Sequence, residues 1–484
     1  MGKDSRSIVS NVGWSVVERL CSQVVLFVVS VILARLIVPE VYGIATVVTV
    51  IVNILAVVLP SGFSSALIYS KMDDVRCYST AFWATLILTL VLYSVLFISA
   101  PLLADYYSAE EITVYVRITA IQLILQGIQS IPFAYISKKM LFRENYKATL
   151  VGVIASALVS ISLAVFGLGV WALLLSVSIQ TAVSTIVLCR AINFRVELRM
   201  DLGIAKEMFL YCWKLMGVDF LNSLYSSLNS LIIGKLFQKT EVAFYTRAYN
   251  LPQMLLGSVT TAVSKVLFPV FSERNESVDC VRLMLRKSVR LMNYTVYPLL
   301  GALGAMGYEI VVVLYTEQWV GVVPYLYVMC FVWAFQPVQT CAIQAFKALG
   351  KTGIFLKLEI LKKLAGLIII AGFVYFMGDP MALAFSLLAS QVISSLINMP
   401  LLKKHLGYSY GDQVKDMIES LPVSLLMICG IRGAAMLVGN LAMRIPLQIL
   451  IGAGIYSLLS WLIKSENFFY LKDVALEIVG RKIR

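Results

Sequence analysis

Long apolar runs, separated by short charged connections, dominate the chain. Fourteen such runs lie near 12–36, 41–63, 78–101, 112–136, 147–166, 169–189, 208–234, 242–270, 290–314, 320–346, 355–377, 380–401, 416–438 and 444–463. About 20 apolar residues in a helix cross the hydrocarbon of a bilayer, so each run predicts a transmembrane helix. Two runs carry more polarity than lipid accepts. Between Met208 and Phe271, one helix holds Lys214, Asp219, Asn222, Ser226, Ser227, Asn229 and Ser230, and the next holds Arg247, Asn250, Gln253 and Lys265. Their polar faces are expected to line a protein-enclosed, watery space.

The pattern also repeats. Ala34-Arg35-Leu36 followed by Glu40-Val41-Tyr42 returns as Gly234-Lys235-Leu236 followed by Glu241-Val242 and Tyr245. Trp14 with Arg19 finds a counterpart in Trp213 with Lys214, and Gln126-x-x-Gln129 in Gln336-x-x-Gln339. One offset of roughly 200–210 residues, six runs plus connections, accounts for all three. Six is even, so the two halves share an orientation. The expected organisation is all-α and polytopic: an N-terminal six-helix lobe over 1–200, a C-terminal six-helix lobe over 201–405, two further transmembrane helices over 406–465, and an amphipathic tail over 466–484.

Composition agrees: 60% of the 484 residues are hydrophobic, 14% are charged, and the mean hydropathy is +0.87. A net charge of +13 invites a nucleic-acid reading, but the bases gather in every second connection, as the positive-inside rule requires. Lys138, Lys139, Arg143, Arg190, Arg195, Arg282, Arg286, Lys287, Lys403 and Lys404 fall on one side. The other side holds Arg35, Lys235, Lys239 and Arg444, with Asp105, Glu110, Glu111, Glu309, Glu317 and Asp379. Both termini are therefore expected in the cytoplasm, with the first run an uncleaved span. The eight cysteines include no CxxC pair, and His405 is the only histidine, so neither a zinc site nor histidine-based catalysis within one chain is expected. Gly350-Lys351-Thr352 lacks the earlier glycine of a phosphate-binding loop.

Charge inside the runs carries the candidate chemistry. An Arg or Lys at a helix centre costs about 2.5–3.5 kcal/mol on insertion scales unless it is hydrated or paired. Arg19, Arg117, Lys214 and Arg247 are the candidates for a cationic cavity, while Lys214, Lys265 and Lys357 are also placed to snorkel to an interface. Gln126, Gln129, Asn222, Asn250, Gln336 and Gln339 offer hydrogen bonds to a polar ligand. Glu18, Asp219 and Glu359 are the acids singled out within the runs; each either couples a proton or sodium ion or balances a neighbouring cation, as Glu359 does if it pairs with Lys362 or Lys363. Pro132, Pro252, Pro298 and Pro337 are expected to bend their helices.

Several stretches resemble bacterial polysaccharide-repeat-unit flippases of the Wzx type, nearest the WzxC branch of the multidrug/oligosaccharidyl-lipid/polysaccharide exporter superfamily. They are VILARLIVPEVYG (Val31 to Gly43), STAFW (Ser79 to Trp83), GLGVWAL (Gly167 to Leu173), IGKLFQKTEVAFYTRAYNL (Ile233 to Leu251) and SKVLFP (Ser264 to Pro269). The similarity covers about the first 350 residues well and the remainder in hydropathy alone. It implies about fourteen helices in two pseudo-symmetric lobes around a cavity that opens alternately to each side. It also implies an undecaprenyl-pyrophosphate-linked oligosaccharide as substrate, a place in the inner membrane, and no cofactor beyond a proton or sodium gradient. Surface-polysaccharide polymerases and other assembly proteins are the implied partners beside membrane lipids, with no nucleic acid. Asn229 stands where the family pattern places an acid, so no coupling role is carried over to it. The alternatives are an ion-coupled drug or cation antiporter, which would want an acidic cavity, and a membrane-embedded polymerase or glycosyltransferase, which needs a longer outer loop than any present.

Overall fold

The computed structural model describes residues 22–70, 74–273, 278–348 and 352–473. Each of the fourteen apolar runs coincides there with a helix, several of them broken. In chain order these are α1 (Ser22–Leu36), α2 (Pro39–Tyr69), α3 (Val75–Tyr107), α4 (Glu111–Lys139), α5 (Phe142–Val165), α6 (Gly169–Leu174, continuing as Ser176–Ile192) and α7 (Leu202–Leu236). Then come α8 (Lys239–Glu273), α9 (Val278–Ala305, continuing as Gly307–Tyr315), α10 (Val322–Ala334, continuing as Gln336–Ala348), α11 (Thr352–Met377), α12 (Met381–Leu406), α13 (Tyr410–Leu437) and α14 (Leu441–Leu462). Among the described residues nine helices are long and apolar enough to span a membrane, or ten if the two parts of α9 count as one span. The two 35-residue helices α7 and α8 have the length but fall outside that set, as their polar faces require.

The repeat is visible in where helices stop and start. α1 ends at Leu36 and α2 begins at Pro39; α7 ends at Leu236 and α8 begins at Lys239, 200 residues on at both points. Pro39 opens α2 because its missing N–H falls where a helix has no acceptor to offer. A bend of 68° lies between the two parts of α9 at Met306. It is not at Pro298, which sits inside the first part.

The chain forms two compact units, Met1–Ala243 and Phe244–Arg484. In the first, α7 packs on α2 and α3, so this helix belongs to that unit although the sequence repeat restarts before it. A core cluster there joins Leu67 of α2, Cys77 and Ala81 of α3, Ile131 of α4 and Cys212 of α7. α5 and α6 meet through a stripe of small residues, Ala148, Gly152, Ser156, Ser160 and Ala164, spaced four apart on α5. Ser156 donates to the Ser176 carbonyl at 2.7 Å, and a Cβ at Gly152 would come within 2.7 Å of the Gln180 carbonyl. Small residues of this spacing let membrane helices pack backbone to backbone. Gly43 shows the same constraint more severely, since a Cβ there would lie 1.7 Å from the Lys239 carbonyl oxygen.

The second unit has its core where α9, α10 and α12 meet, around Leu285, Met292, Cys341, Phe346, Leu402 and Leu406. A smaller cluster joins the α9 bend at Met306 to Met427 and Ile431 of α13. After α14 the backbone turns through Lys464 at φ 55°, and residues 466–473 form a short further helix.

Candidate functional site

Among the described residues the expected cations are not bare in their helices; Arg117, Lys214 and Arg247 each lie near an aromatic ring. In the first unit, Arg117 of α4 reaches α3, where its Nε donates to the Phe97 carbonyl at 3.2 Å and its guanidinium lies 4.3 Å from the Phe97 ring centre. In the second unit, Arg247 of α8 lies over Tyr315 at 5.2 Å and over Trp319 at 5.5 Å. Both rings are buried, with Trp319 at 0% exposure, so this platform cannot swing away. A cation on a desolvated aromatic face gains about 2 kcal/mol or more, which offsets much of the insertion cost and leaves the charge in place. Lys214 of α7 is exposed, 5.8 Å from the Trp213 ring. Arg19 and Glu18 lie outside the described residues, as does the Trp14 end of the repeat.

The two glutamine pairs behave as repeat mates. Gln129 of α4 donates to Ser184 of α6 at 2.6 Å, and Gln339 of α10 donates to Gln391 of α12 at 2.5 Å. Each glutamine thus tethers the fourth helix of its half to the sixth. These two side chains are engaged between helices, and Gln126 and Gln336, three residues earlier, are half-buried like them. Asn222 and Asn250 are exposed. Asp219 is half-buried on α7, and Glu359 makes the local pair with Lys362 at 2.9 Å. The expected residues therefore fall into several separate settings, with Arg117, Gln126, Gln129, Lys214, Asp219 and Asn222 in the first unit and Arg247, Asn250, Gln336, Gln339 and Glu359 in the second. Among the described residues no group of three His, Cys, Asp or Glu side chains could hold a metal.

One cluster escaped the sequence reading. Asp416, at 0% exposure near the start of α13, receives Arg286 Nε at 2.8 Å and Arg290 Nε at 2.6 Å from α9. The Tyr408 hydroxyl, in the turn before α13, donates to the same carboxylate at 2.7 Å. Burial first, and then that hydrogen bond, push the Tyr408 phenol far above its ordinary range. Asp412 and Glu419 hold the outer sides of Arg286 and Arg290 at 2.9 and 3.2 Å. A run of charges one and two turns apart on α9 was a visible signal, but its partner lies about 130 residues downstream, beyond the reach of local periodicity. A second distant pair, Arg444 with the buried Glu309, spans 3.5 Å.

Nine to ten helices long and apolar enough to cross a membrane, among the described residues, define a multi-pass helical membrane protein. Residues 32–324 match the family described as "Polysaccharide biosynthesis protein", and the chain belongs to that family. Among curated relatives, the succinoglycan biosynthesis transport protein ExoT of Rhizobium meliloti (strain 1021) is 24% identical over 65% of this chain. The match spans 64% of the ExoT length. The lipopolysaccharide biosynthesis protein WzxC of Escherichia coli (strain K12) is 20% identical over 84% of each chain. Among solved structures, the lipid II flippase MurJ in an inward closed conformation shares the fold at a TM-score of 0.76 and 15% identity, covering 93% of this chain and 98% of that one.

Proposed function

We propose that the protein is a flippase for lipid-linked oligosaccharides, moving repeat units on undecaprenyl pyrophosphate from the cytoplasmic to the outer leaflet of the bacterial inner membrane for surface-polysaccharide assembly. The observation that carries this reading is the pair of long helices α7 and α8. They span the required length yet retain charge, and the cation on α8 is fixed on the buried Tyr315–Trp319 platform. A pyrophosphate with its sugars cannot enter hydrocarbon, and fixed guanidinium groups replace the water it gives up. Arg117 and Arg247 are assigned to the pyrophosphate with Lys214 as an outer attractor, and Gln126, Gln336, Asn222 and Asn250 to the sugar hydroxyls. The polyprenyl chain needs an apolar path. An apolar groove of about 350 Å³ lined by Leu300, Gly304, Phe331, Ala334, Leu425 and Ile428 has the right chemistry.

Alternating access between the two repeats moves the head group, driven by a proton or sodium gradient with Asp219 as the coupling acid. The basic connections support a cytoplasmic location for both termini. Delivery to a polysaccharide polymerase on the outer side completes the scheme. Two relatives named for polysaccharide biosynthesis and a fold shared with a lipid II flippase support the assignment.

The test is inversion of labelled lipid-linked oligosaccharides in proteoliposomes, with and without proton or sodium gradients. Arg247→Gln is expected to lower the initial rate about tenfold or more, the effect of losing a charged hydrogen bond of roughly 1.5–3 kcal/mol. Rates equal to those of empty liposomes for every oligosaccharide would end the flippase reading.

A further inference from the structure

The start of α9 and the segment after α14 line a cleft of about 720 Å³. One wall is a stripe on α9, Leu283, Arg286, Lys287 and Arg290, at helical spacing that puts all four on one face. The other wall comes from Lys464, Glu466, Asn467, Phe469, Tyr470 and Asp473. Four basic and two acidic side chains line the space. The acids behind the first wall, Asp412, Asp416 and Glu419, orient its arginines. Asp416 and Glu419 both meet Arg290 at its Nε, and Arg290 still lines the cleft. Lys287 lies 4.6 Å from the Tyr470 ring, and Lys464 is fixed by a left-handed turn at φ 55°. The edge is apolar: Trp461, Leu462 and Ile463, immediately before Lys464, are 57–63% exposed, and Leu283 is 62% exposed.

We propose that this cleft binds the phosphate headgroup of an anionic phospholipid, with its acyl chains lying along the exposed Trp461–Ile463 end of α14. Donors outnumber acceptors in the cleft, and a phosphate supplies acceptors in the number they need. The adjoining apolar edge selects an amphiphile over a free anion. A basic pocket between helices beside the lipid boundary is the chemistry by which anionic lipids are held at defined sites. The site does not depend on the transport reading.

The experiment uses the full chain purified in a neutral detergent, with native mass spectrometry and thermal unfolding as readouts. The wild-type protein is expected to retain phosphatidylglycerol or cardiolipin in preference to phosphatidylcholine, and to unfold at a higher temperature with the anionic lipid. The double variant Lys287→Gln/Lys464→Gln spares the Asp416 cluster. It is expected to keep the lipid-free unfolding temperature and to bind anionic lipid about 30-fold more weakly, from the loss of two basic side chains near the surface. Equal retention of phosphatidylcholine, or undiminished anionic-lipid binding by the double variant, would overturn the proposal. An equal stabilisation by inorganic phosphate or glycerol phosphate alone would overturn the lipid assignment.

Discussion

Removing the Asp416 carboxylate offers the clearest measure of what holds α13 against α9. In Asp416→Asn the side chain keeps its volume and loses its charge, while its new amide donor faces Arg286 Nε, Arg290 Nε and the Tyr408 hydroxyl, all donors. Breaking a buried ion pair by removing one partner costs about 3–5 kcal/mol, because the surviving charge stays uncompensated. Here the arginine side chains are 22% and 28% exposed and keep Asp412 and Glu419, so the low end, about 3 kcal/mol, applies. A unit of this size loses about 2–4 °C of unfolding temperature per kcal/mol, giving a fall of roughly 6–12 °C. Thermal unfolding of the full chain in detergent, followed by tryptophan fluorescence, reads this directly. Adding Arg290→Gln to the variant removes one stranded cation and is expected to recover part of the loss. A single variant within 2 °C of wild type (well under the ~6 °C expected) would refute the view that this cluster fastens the two helices.

Two further outcomes follow from local geometry. Gly43→Ala drives a Cβ into the Lys239 backbone carbonyl, which no side-chain rotation relieves, and is expected to cost toward the top of the ~1–3 kcal/mol overpacking range; Gly217→Ala on α7, with open space around it, is the matched control and should leave the unfolding temperature unchanged or slightly higher. Tyr408 titrates higher folded than unfolded, so its contribution is complete below the ordinary tyrosine pKa of 10.0 and fades as pH rises above it. Tyr408→Phe should therefore be less stable than wild type at pH 8, and the gap should narrow above pH 10 (the midpoint for an unfolded tyrosine, about 10) when unfolding is measured as a pH series.

Hydropathy made the helices legible because each must satisfy its backbone internally in lipid, which leaves the apolar run no other shape. The breaks were less legible. α9 bends at Met306, eight residues past the proline that seemed the natural place, because a bend depends on what packs beside it as well as on a missing N–H. The charged positions were legible as costly, but their partners were not. Nothing near Arg247 in sequence announces Trp319, and nothing near Arg286 announces Asp416. Pairing across about 70 or 130 residues is settled by tertiary packing. Gln129 and Gln339 looked like free sugar ligands for the same reason, until each was found spent on the helix two places on.

The helix boundaries at 36/39 and 236/239 carry a historical consequence. Matching punctuation at a fixed interval is the mark expected of a tandem duplication, with a six-helix unit of about 200 residues and the last two helices standing outside it. Mutation has since replaced most of the wording in both halves, while the place where the polypeptide must stop climbing and turn back has stayed in register.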